Sequence, residues 1–140
     1  SFMAQNLPQH VVEFPHGYTY SAHPVACAAG LAAMDIYAKD NTAAQVQALA
    51  PYFEAQIHAL KGLPHIEDIR NFGLAGAIQL SARQGDMLIR PREIFEYCWE
   101  RGAYVRYGGN TIQLAPAFVT EREDLAQMFN VLADALKAIK

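Results

Sequence analysis

Four consecutive residues with hydroxyl groups stand directly before an alanine-rich segment. They are Tyr18, Thr19, Tyr20 and Ser21. The pattern predicts a tight polar turn followed by a helix that begins near Ala22, with Ser21 as its N-cap. The first backbone N–H groups of a helix lack acceptors and lie at the positive end of the helix dipole. The turn therefore suits an anion such as phosphate. The alternative is that Thr19 only caps the following helix.

Arg106 is the second residue with a chemical role to consider. It ends a predicted strand at 104–106, and a second strand at 111–114 follows a turn rich in glycine. Two short strands with such a turn between them predict a β-hairpin. A guanidinium group at a strand end can hold a carboxylate through two parallel hydrogen bonds. The alternative is a surface ion pair, the ordinary role of a lone arginine.

Apolar residues at regular spacing predict the elements that must position these two residues. The predicted helices are 22–38, 43–60, 91–101 and a last one that starts at a capping box of Thr120 and Glu123. The predicted strands are 66–70, 74–81 and the two of the hairpin. Pro51 predicts that the second helix is kinked or divided into two. Residues 1–17 show little periodicity and are interpreted as a connector.

Size and charge exclude several classes of function. The chain has 140 residues, of which 52% are hydrophobic, enough for one ordinary domain with a core. Its net charge of −3 argues against binding to nucleic acid or to an anionic membrane. No apolar run approaches the roughly 20 residues of a transmembrane helix, and no signal peptide is recognisable. We expect a cytoplasmic protein without nucleic-acid or membrane partners.

The remaining reactive side chains are interpreted as structural. Cys27 and Cys98 lie far apart, and we expect both to be reduced packing residues. His10, His16 and His23 lack the spacing of a zinc site, so no metal is expected. Two further aromatic residues, Phe95 and Trp99, stand at helical spacing and are predicted to lie in the core.

Four blocks of sequence, in order, carry a resemblance to a known family. They are residues 16–30, 68–77 and 105–110 and the last helix after Ala115-Pro116. In these blocks the chain resembles the class III (ω-type) aminotransferases, which depend on pyridoxal 5′-phosphate (PLP). The subgroup that transfers the amino group of β-alanine and other ω-amino acids to pyruvate is the most similar.

The resemblance implies an α/β fold of a particular kind. The chain would be the C-terminal part of a fold-type I PLP transferase. Residues 1–40 would be the end of the large PLP-binding domain, with the phosphate-binding turn and its helix. Residues 41–140 would be an α+β small domain, a mainly antiparallel sheet covered by helices. Outside the large domain, the helix at 22–38 would expose an apolar face and self-associate.

The resemblance also assigns roles to individual residues. Thr19 would bind the cofactor phosphate of the partner subunit in a homodimer or homotetramer, with Tyr18 adding backbone and packing contacts. Arg106 would bind the substrate carboxylate. None of the lysines stands in the motif of the Schiff-base lysine, so the chain alone would be inactive. These lysines are Lys39, Lys61, Lys137 and Lys140.

Two other functions fit the same residues. One is a different class III enzyme, such as an aminomutase or a decarboxylase, because reaction type depends on residues outside this chain. The other is a non-catalytic oligomerisation or binding module that keeps the fold without the chemistry.

Overall fold

The computed structural model describes residues 17–140, so the predicted connector before Gly17, with His10 and His16, lies outside the described residues. The helices are α1 (Pro24–Lys39), α2 (Thr42–Ala59), α3 (Ile89–Glu100) and α4 (Arg122–Ala138). The strands are β1 (Ile66–Phe72), β2 (Ala75–Leu80), β3 (Arg106–Gly108) and β4 (Thr111–Leu114). The chain divides into two compact units, Ser1–Asp40 and Asn41–Lys140.

The first unit, described from residue 17, contains α1. This helix begins after His23, with Pro24 at its first position, where the missing N–H of proline costs no hydrogen bond. The prediction of Ser21 as N-cap is wrong, because its Oγ accepts a hydrogen bond from the backbone N of Tyr18 instead, at 2.7 Å. None of the side chains of α1 is buried. Its exposed large apolar residues are Val25, Leu31, Met34, Ile36 and Tyr37.

The second unit is a four-stranded sheet in the order β1-β2-β4-β3, in which every neighbouring pair is antiparallel. Alternate residues of the central strands, such as Ile78, Leu80, Ile112 and Leu114, are buried. This alternation is what a sheet with one covered face requires. Helices α2, α3 and α4 contribute further core residues: Phe53, Ile57, Ile94, Cys98, Leu125, Phe129, Leu132, Ala135 and Leu136. The predicted α/β fragment with a small antiparallel sheet is confirmed.

A glycine sets the close approach of α2 to the sheet. A Cβ atom added to Gly76 on β2 would lie 2.6 Å from Cδ1 of Ile57 and 3.0 Å from the ring of Phe53. Both distances are tight, so a larger residue would force the side chains of Ile57 and Phe53 to shift. Because the rings of Phe53 and Phe129 meet edge to face at 5.4 Å, the same contact also positions α4.

Three local predictions are corrected by the structure. Helix α2 runs unbroken from Thr42 to Ala59 with Pro51 inside it, so the alternative of two separate helices is wrong. The capping box of α4 uses Glu121 and Asp124, because the backbone N of Glu121 donates to Oδ2 of Asp124 at 3.0 Å. The predicted box was displaced by one residue, since Thr120 and Glu123 offer the same side-chain pattern.

The third correction concerns Trp99, whose side chain is 62% exposed rather than part of the core. Its ring lies 6.1 Å from the rings of both Phe95 and Tyr104, so helical spacing correctly predicted an aromatic contact but not its depth. Both cysteines are free, as expected. Cys98 is buried and packs in the core, whereas Cys27 is exposed and does not pack within the described residues.

Candidate functional site

The first candidate site is the turn that precedes α1. The backbone N of Ser21 donates to the carbonyl oxygen of Tyr18 at 2.9 Å, which closes a four-residue turn. The hydrogen bond from the Tyr18 N to the Ser21 hydroxyl closes the same turn a second time, at 2.7 Å. Thr19 and Tyr20 therefore occupy the two central positions, and both are exposed. Hydrogen bonds between its two end residues hold the turn, and its two middle residues are exposed to solvent.

The link from the turn to α1 has an unusual backbone. Ala22 has a φ of 62°, in the left-handed region that residues with a Cβ rarely adopt. The next residue is held by a hydrogen bond from the His23 N to the Tyr20 carbonyl, at 3.2 Å. Such conformations cost about 1–3 kcal/mol and persist where neighbouring bonds impose them, often at functional sites. Here the left-handed residue stands between the turn and the N-cap of α1, His23.

The donors at this turn fit a phosphate group. Thr19 offers a hydroxyl and a backbone N–H, and the first turn of α1 contains no acidic side chain that would repel an anion. Because the N-cap of α1 is His23, four residues after Thr19, the alternative that Thr19 caps this helix is wrong.

The second candidate site lies in the other unit and contains Arg106. This residue begins β3 and pairs with Gln113 on β4, so the two side chains extend from the same face of the sheet. Both line an open groove of about 590 Å³ between the β4 strand and the start of α4. Its other walls include Tyr104, Pro116, Asp124 and Met128. This volume is in the range of pockets that bind small molecules, about 300–1,000 Å³.

The charges of the groove favour an anionic ligand at Arg106. The side chain is exposed and takes part in none of the ion pairs found within residues 17–140. The described residues therefore do not support the alternative that Arg106 forms a surface ion pair. The Asp124 carboxylate in the same groove already accepts the capping hydrogen bond from Glu121 at 3.0 Å. The guanidinium of Arg106 thus remains available for a carboxylate.

A glycine beside Arg106 makes room for the Gln113 side chain. A Cβ added to Gly108 would lie 3.0 Å from Nε2 of Gln113, closer than most side chains allow. The amide of Gln113 thus fills the space that a side chain at 108 would take. The turn that follows contains Gly109, whose φ of 58° explains the need for glycine there.

The lysines and the possible metal ligands add no further site. All four lysines are exposed. Nζ of Lys137 lies 3.8 Å from Oδ1 of Asp134. No cluster of three or more metal-ligating side chains occurs within residues 17–140. Likewise, no helix in that range is long and apolar enough to span a membrane.

Sequence reasoning found Arg106 but missed the other polar residues of its groove. Gln113 could have been found, because a residue opposite Arg106 in the hairpin must share its face once the register is known. Tyr104 could have been found in a similar way, because it stands two residues before Arg106 and alternate residues of an extended segment share a face. Asp124 carried no such signal, since its place in the groove depends on how α4 packs.

The unit 41–140 is thus a small antiparallel sheet covered by helices, with Arg106 in a groove at its surface. Residues 2–136 match the family described as aminotransferase class-III. The chain belongs to the class III aminotransferase family.

Two curated relatives show where in that family the similarity is high. The chain is 54% identical over 139 residues to a β-alanine–pyruvate aminotransferase from Pseudomonas aeruginosa. It is 50% identical over 139 residues to an ω-amino acid–pyruvate aminotransferase from Pseudomonas putida. The match covers 99% of this chain and 31% of each relative, so the chain spans about a third of the length of these proteins.

Solved structures agree with the fold. An adenosylmethionine-8-amino-7-oxononanoate aminotransferase from Methanocaldococcus jannaschii matches with a TM-score of 0.80 and 27% identity, over 89% of this chain and 30% of that one. An aminotransferase from Vibrio fluvialis in a PMP-bound form matches with a TM-score of 0.78 and 31% identity, over 89% and 29%. Both are longer chains of which this one resembles a part.

Proposed function

We propose that this chain is the C-terminal part of an enzyme that transfers an amino group to pyruvate from an ω-amino acid such as β-alanine, or from an amine. The observation that carries the proposal is Arg106 in its groove, without an ion-pair partner among residues 17–140. A cation in that position suits the one group that ω-amino acids and pyruvate share, a carboxylate. The names and the 54% and 50% identity of the Pseudomonas relatives support this choice of substrates.

The role of Arg106 is to bind and orient the substrate carboxylate. Its guanidinium offers a planar pair of N–H donors, whereas a lysine would offer only a point charge. Gln113 stands directly across the hairpin and supplies an amide on the same face. A substrate held by its carboxylate presents its other end, where the amino or keto group lies, away from Arg106.

The proposed cofactor is PLP, which supplies an electron sink for reactions at the carbon that carries the amino group. Thr19 would donate its hydroxyl and backbone N–H to the phosphate, and Tyr18 would pack beside it. Two features support these roles: the exposed middle of the Tyr18–Ser21 turn and the absence of acidic side chains in the first turn of α1.

The two compact units, Ser1–Asp40 and Asn41–Lys140, support the proposed division into two domains. Residues 1–40 would complete the large cofactor domain and 41–140 would form the small domain. Thr19 would act across the interface of a homodimer or a homotetramer, and the enzyme would be cytoplasmic. The uncovered apolar side chains of α1 support a helix that packs against other parts of the assembly.

The cofactor-binding lysine is proposed to lie outside this chain. A lysine with that role needs an environment that lowers its pKa or fixes its amine near the cofactor. The four lysines here are all exposed, and Lys39 and Lys137 stand in the last turns of helices, where they complement the helix dipole. We therefore expect the 140-residue chain to be inactive by itself.

The test is an assay of the full-length gene product with β-alanine and pyruvate. The expected result is formation of alanine that depends on added PLP after the cofactor has been removed. Release of carbon dioxide, or movement of the amino group within one molecule, would instead identify a decarboxylase or an aminomutase. Absence of all three reactions in a folded, PLP-loaded protein would contradict the proposal and favour a binding or oligomerisation module.

A further inference from the structure

Two neighbours of Arg106 stand on the same face of the β3–β4 hairpin. Gln113 pairs directly with Arg106 across the two strands, and Gly108 follows Arg106 by two residues on β3. Alternate residues of a strand share a face, and the Cβ atoms of direct cross-strand partners lie about 4.5–5.5 Å apart. The side chain of Gln113 therefore starts beside that of Arg106, and both side chains are exposed.

The amide of Gln113 lies over Gly108. Its Nε2 is 3.0 Å, and its Cδ 3.8 Å, from the position that a Cβ of residue 108 would occupy. Apart from the residues that adjoin Gly108 in the chain, no other described residue has an atom within 4 Å of that position. Gly108 is a strand residue without a positive φ, so its backbone does not require glycine. What the missing side chain provides is room for this amide.

The polar ends of Arg106 and Gln113 are both without a partner among residues 17–140. Arg106 forms no ion pair there, and neither side chain makes a hydrogen bond to another described residue. A guanidinium and the NH₂ of an amide are both hydrogen-bond donors. Two donors side by side in a groove, with no acceptor of their own, suit the two oxygens of one carboxylate.

We propose that Gln113 is a second carboxylate-binding residue beside Arg106, and that Gly108 is a positioning residue that gives its amide room. Together they favour amino donors that carry a carboxylate over plain amines. This inference rests on the proposed function and decides between the two kinds of donor that the proposed function allows. A side chain at 108 would move the amide away from its place beside the carboxylate.

The test uses the full-length gene product and two donors, β-alanine and propylamine, in which a methyl group replaces the carboxylate. The constant to measure is kcat/KM for each donor, with pyruvate as the acceptor. Gln113→Ala should lower the value for β-alanine about tenfold, because a hydrogen bond to a charged group is lost. It should change the value for propylamine less than about twofold, since propylamine has no acceptor for the amide.

Gln79→Ala is the matched control for this substitution. Gln79 lies on the same sheet, but its Nε2 donates to Oε2 of Glu67 at 3.2 Å. The variant should change kcat/KM for either donor less than about twofold. A loss for β-alanine as large as that of Gln113→Ala would overturn the inference.

A double variant tests the positioning role of Gly108. Gly108→Ala should lower kcat/KM for β-alanine at least about threefold, because the new methyl displaces the amide. The amide is the end of a flexible side chain, so thermal unfolding should stay unchanged. In Gly108→Ala/Gln113→Ala the amide is gone, and the value for β-alanine should equal that of Gln113→Ala alone. Additive losses in the double variant would overturn the role of Gly108.

Arg106→Ala separates a failure of this inference from a failure of the proposed function. A selective loss of β-alanine activity in Arg106→Ala, with equal losses for both donors in Gln113→Ala, would overturn the inference and leave the proposed function standing. A wild-type kcat/KM for propylamine equal to that for β-alanine would do the same. A folded, PLP-loaded wild-type protein that transfers an amino group from neither donor would overturn the proposed function itself.

Discussion

The two units of this chain use apolar residues in opposite ways. Helix α1 carries only two charged residues, Asp35 and Lys39, yet none of its side chains is buried. Helix α4, of nearly the same length, has charged and polar residues along one side and buries Leu125, Phe129, Leu132, Ala135 and Leu136 along the other. One face of α4 is thus buried in the core of 41–140, whereas none of the side chains of α1 is buried.

The difference shows what each unit requires to be stable. A helix that is apolar on most sides is stable only when other structure covers it, and helical propensity alone gives little in water. An amphipathic helix such as α4 needs only one partner, which its own unit provides. Helix α4 therefore finds its cover within 41–140, whereas the described residues bury none of the side chains of α1.

The largest difference between the units should appear in thiol labelling. Cys27 on α1 is exposed and should react with a thiol reagent at the rate of a free cysteine. Cys98 is buried and should react only when the core opens, at least about a thousandfold more slowly if the unit is stable by about 5 kcal/mol. Mass spectrometry of labelled peptides over time measures both rates. Similar rates would show that the core of 41–140 is not stably formed.

A matched pair of leucine substitutions compares the units directly. Leu132→Ala removes a fully buried side chain and should lower the free energy of unfolding by about 2–5 kcal/mol. Leu31→Ala is the same change on α1, where the side chain is 65% exposed. It should change the free energy of unfolding by less than about 0.5 kcal/mol. Urea denaturation measures both. A large loss with Leu31→Ala would mean that α1 is covered even in the isolated chain.

The core should also make stability depend on alkaline pH. Burial raises the pKa of the Cys98 thiol from 9.0 to about 11, an effect that the nearby Arg101 partly opposes. Between these values the unfolded chain loses the proton while the folded chain keeps it, so stability falls as pH rises. The loss should reach about 2–3 kcal/mol near pH 11.

Cys98→Ala provides the control for this pH dependence. The variant has no thiol to ionise, so its decrease in stability between pH 9 and pH 11 should be smaller than that of the wild type. Cys27→Ala should leave the wild-type slope unchanged, because Cys27 is exposed. An identical slope in all three proteins would show that Cys98 is not the group responsible.

A matched pair of glycine substitutions should have effects of opposite sign. Gly76→Ala places a Cβ 2.6 Å from Ile57 and should destabilise the second unit by about 1–3 kcal/mol. Gly30→Ala lies inside α1 with no atom within 4 Å of the new Cβ, and should stabilise that helix by about 0.5–1 kcal/mol. Circular dichroism during thermal unfolding follows both. In a complete assembly that covers α1, the gain at Gly30 should disappear.

Much of the second unit could be predicted from local patterns. The apolar spacing in α4 and the paired strands around Gly109-Asn110 contain enough information to place both elements within a few residues. The depth of Trp99 could not be predicted, because helical spacing tells which residues share a face but not whether that face reaches the core. The hydrogen bonds from Arg90 to the carbonyl oxygens of Ser81 and Ala82 also escaped prediction, since these oxygens come near Arg90 only in the folded chain.

The candidate site was predicted unevenly for similar reasons. Arg106 and Thr19 could be found because their neighbours in sequence, a glycine turn and a helix start, define their settings. The groove of Arg106 could not, because Asp124 and Met128 reach it only through the packing of α4. The role of the turn at Thr19 stays a prediction, since its phosphate would come from outside the described residues.

The central claim assigns separate tasks to Thr19 and Arg106, and one crossed measurement on the full-length gene product tests it most directly. Thr19→Ala should weaken PLP binding about tenfold and leave the KM for pyruvate of the PLP-saturated enzyme unchanged, while Thr19→Ser should restore binding. Arg106→Ala should raise the KM for pyruvate at least about tenfold and leave PLP affinity unchanged. If both substitutions changed the same constant, or neither changed any, the assignment of the two residues would be contradicted.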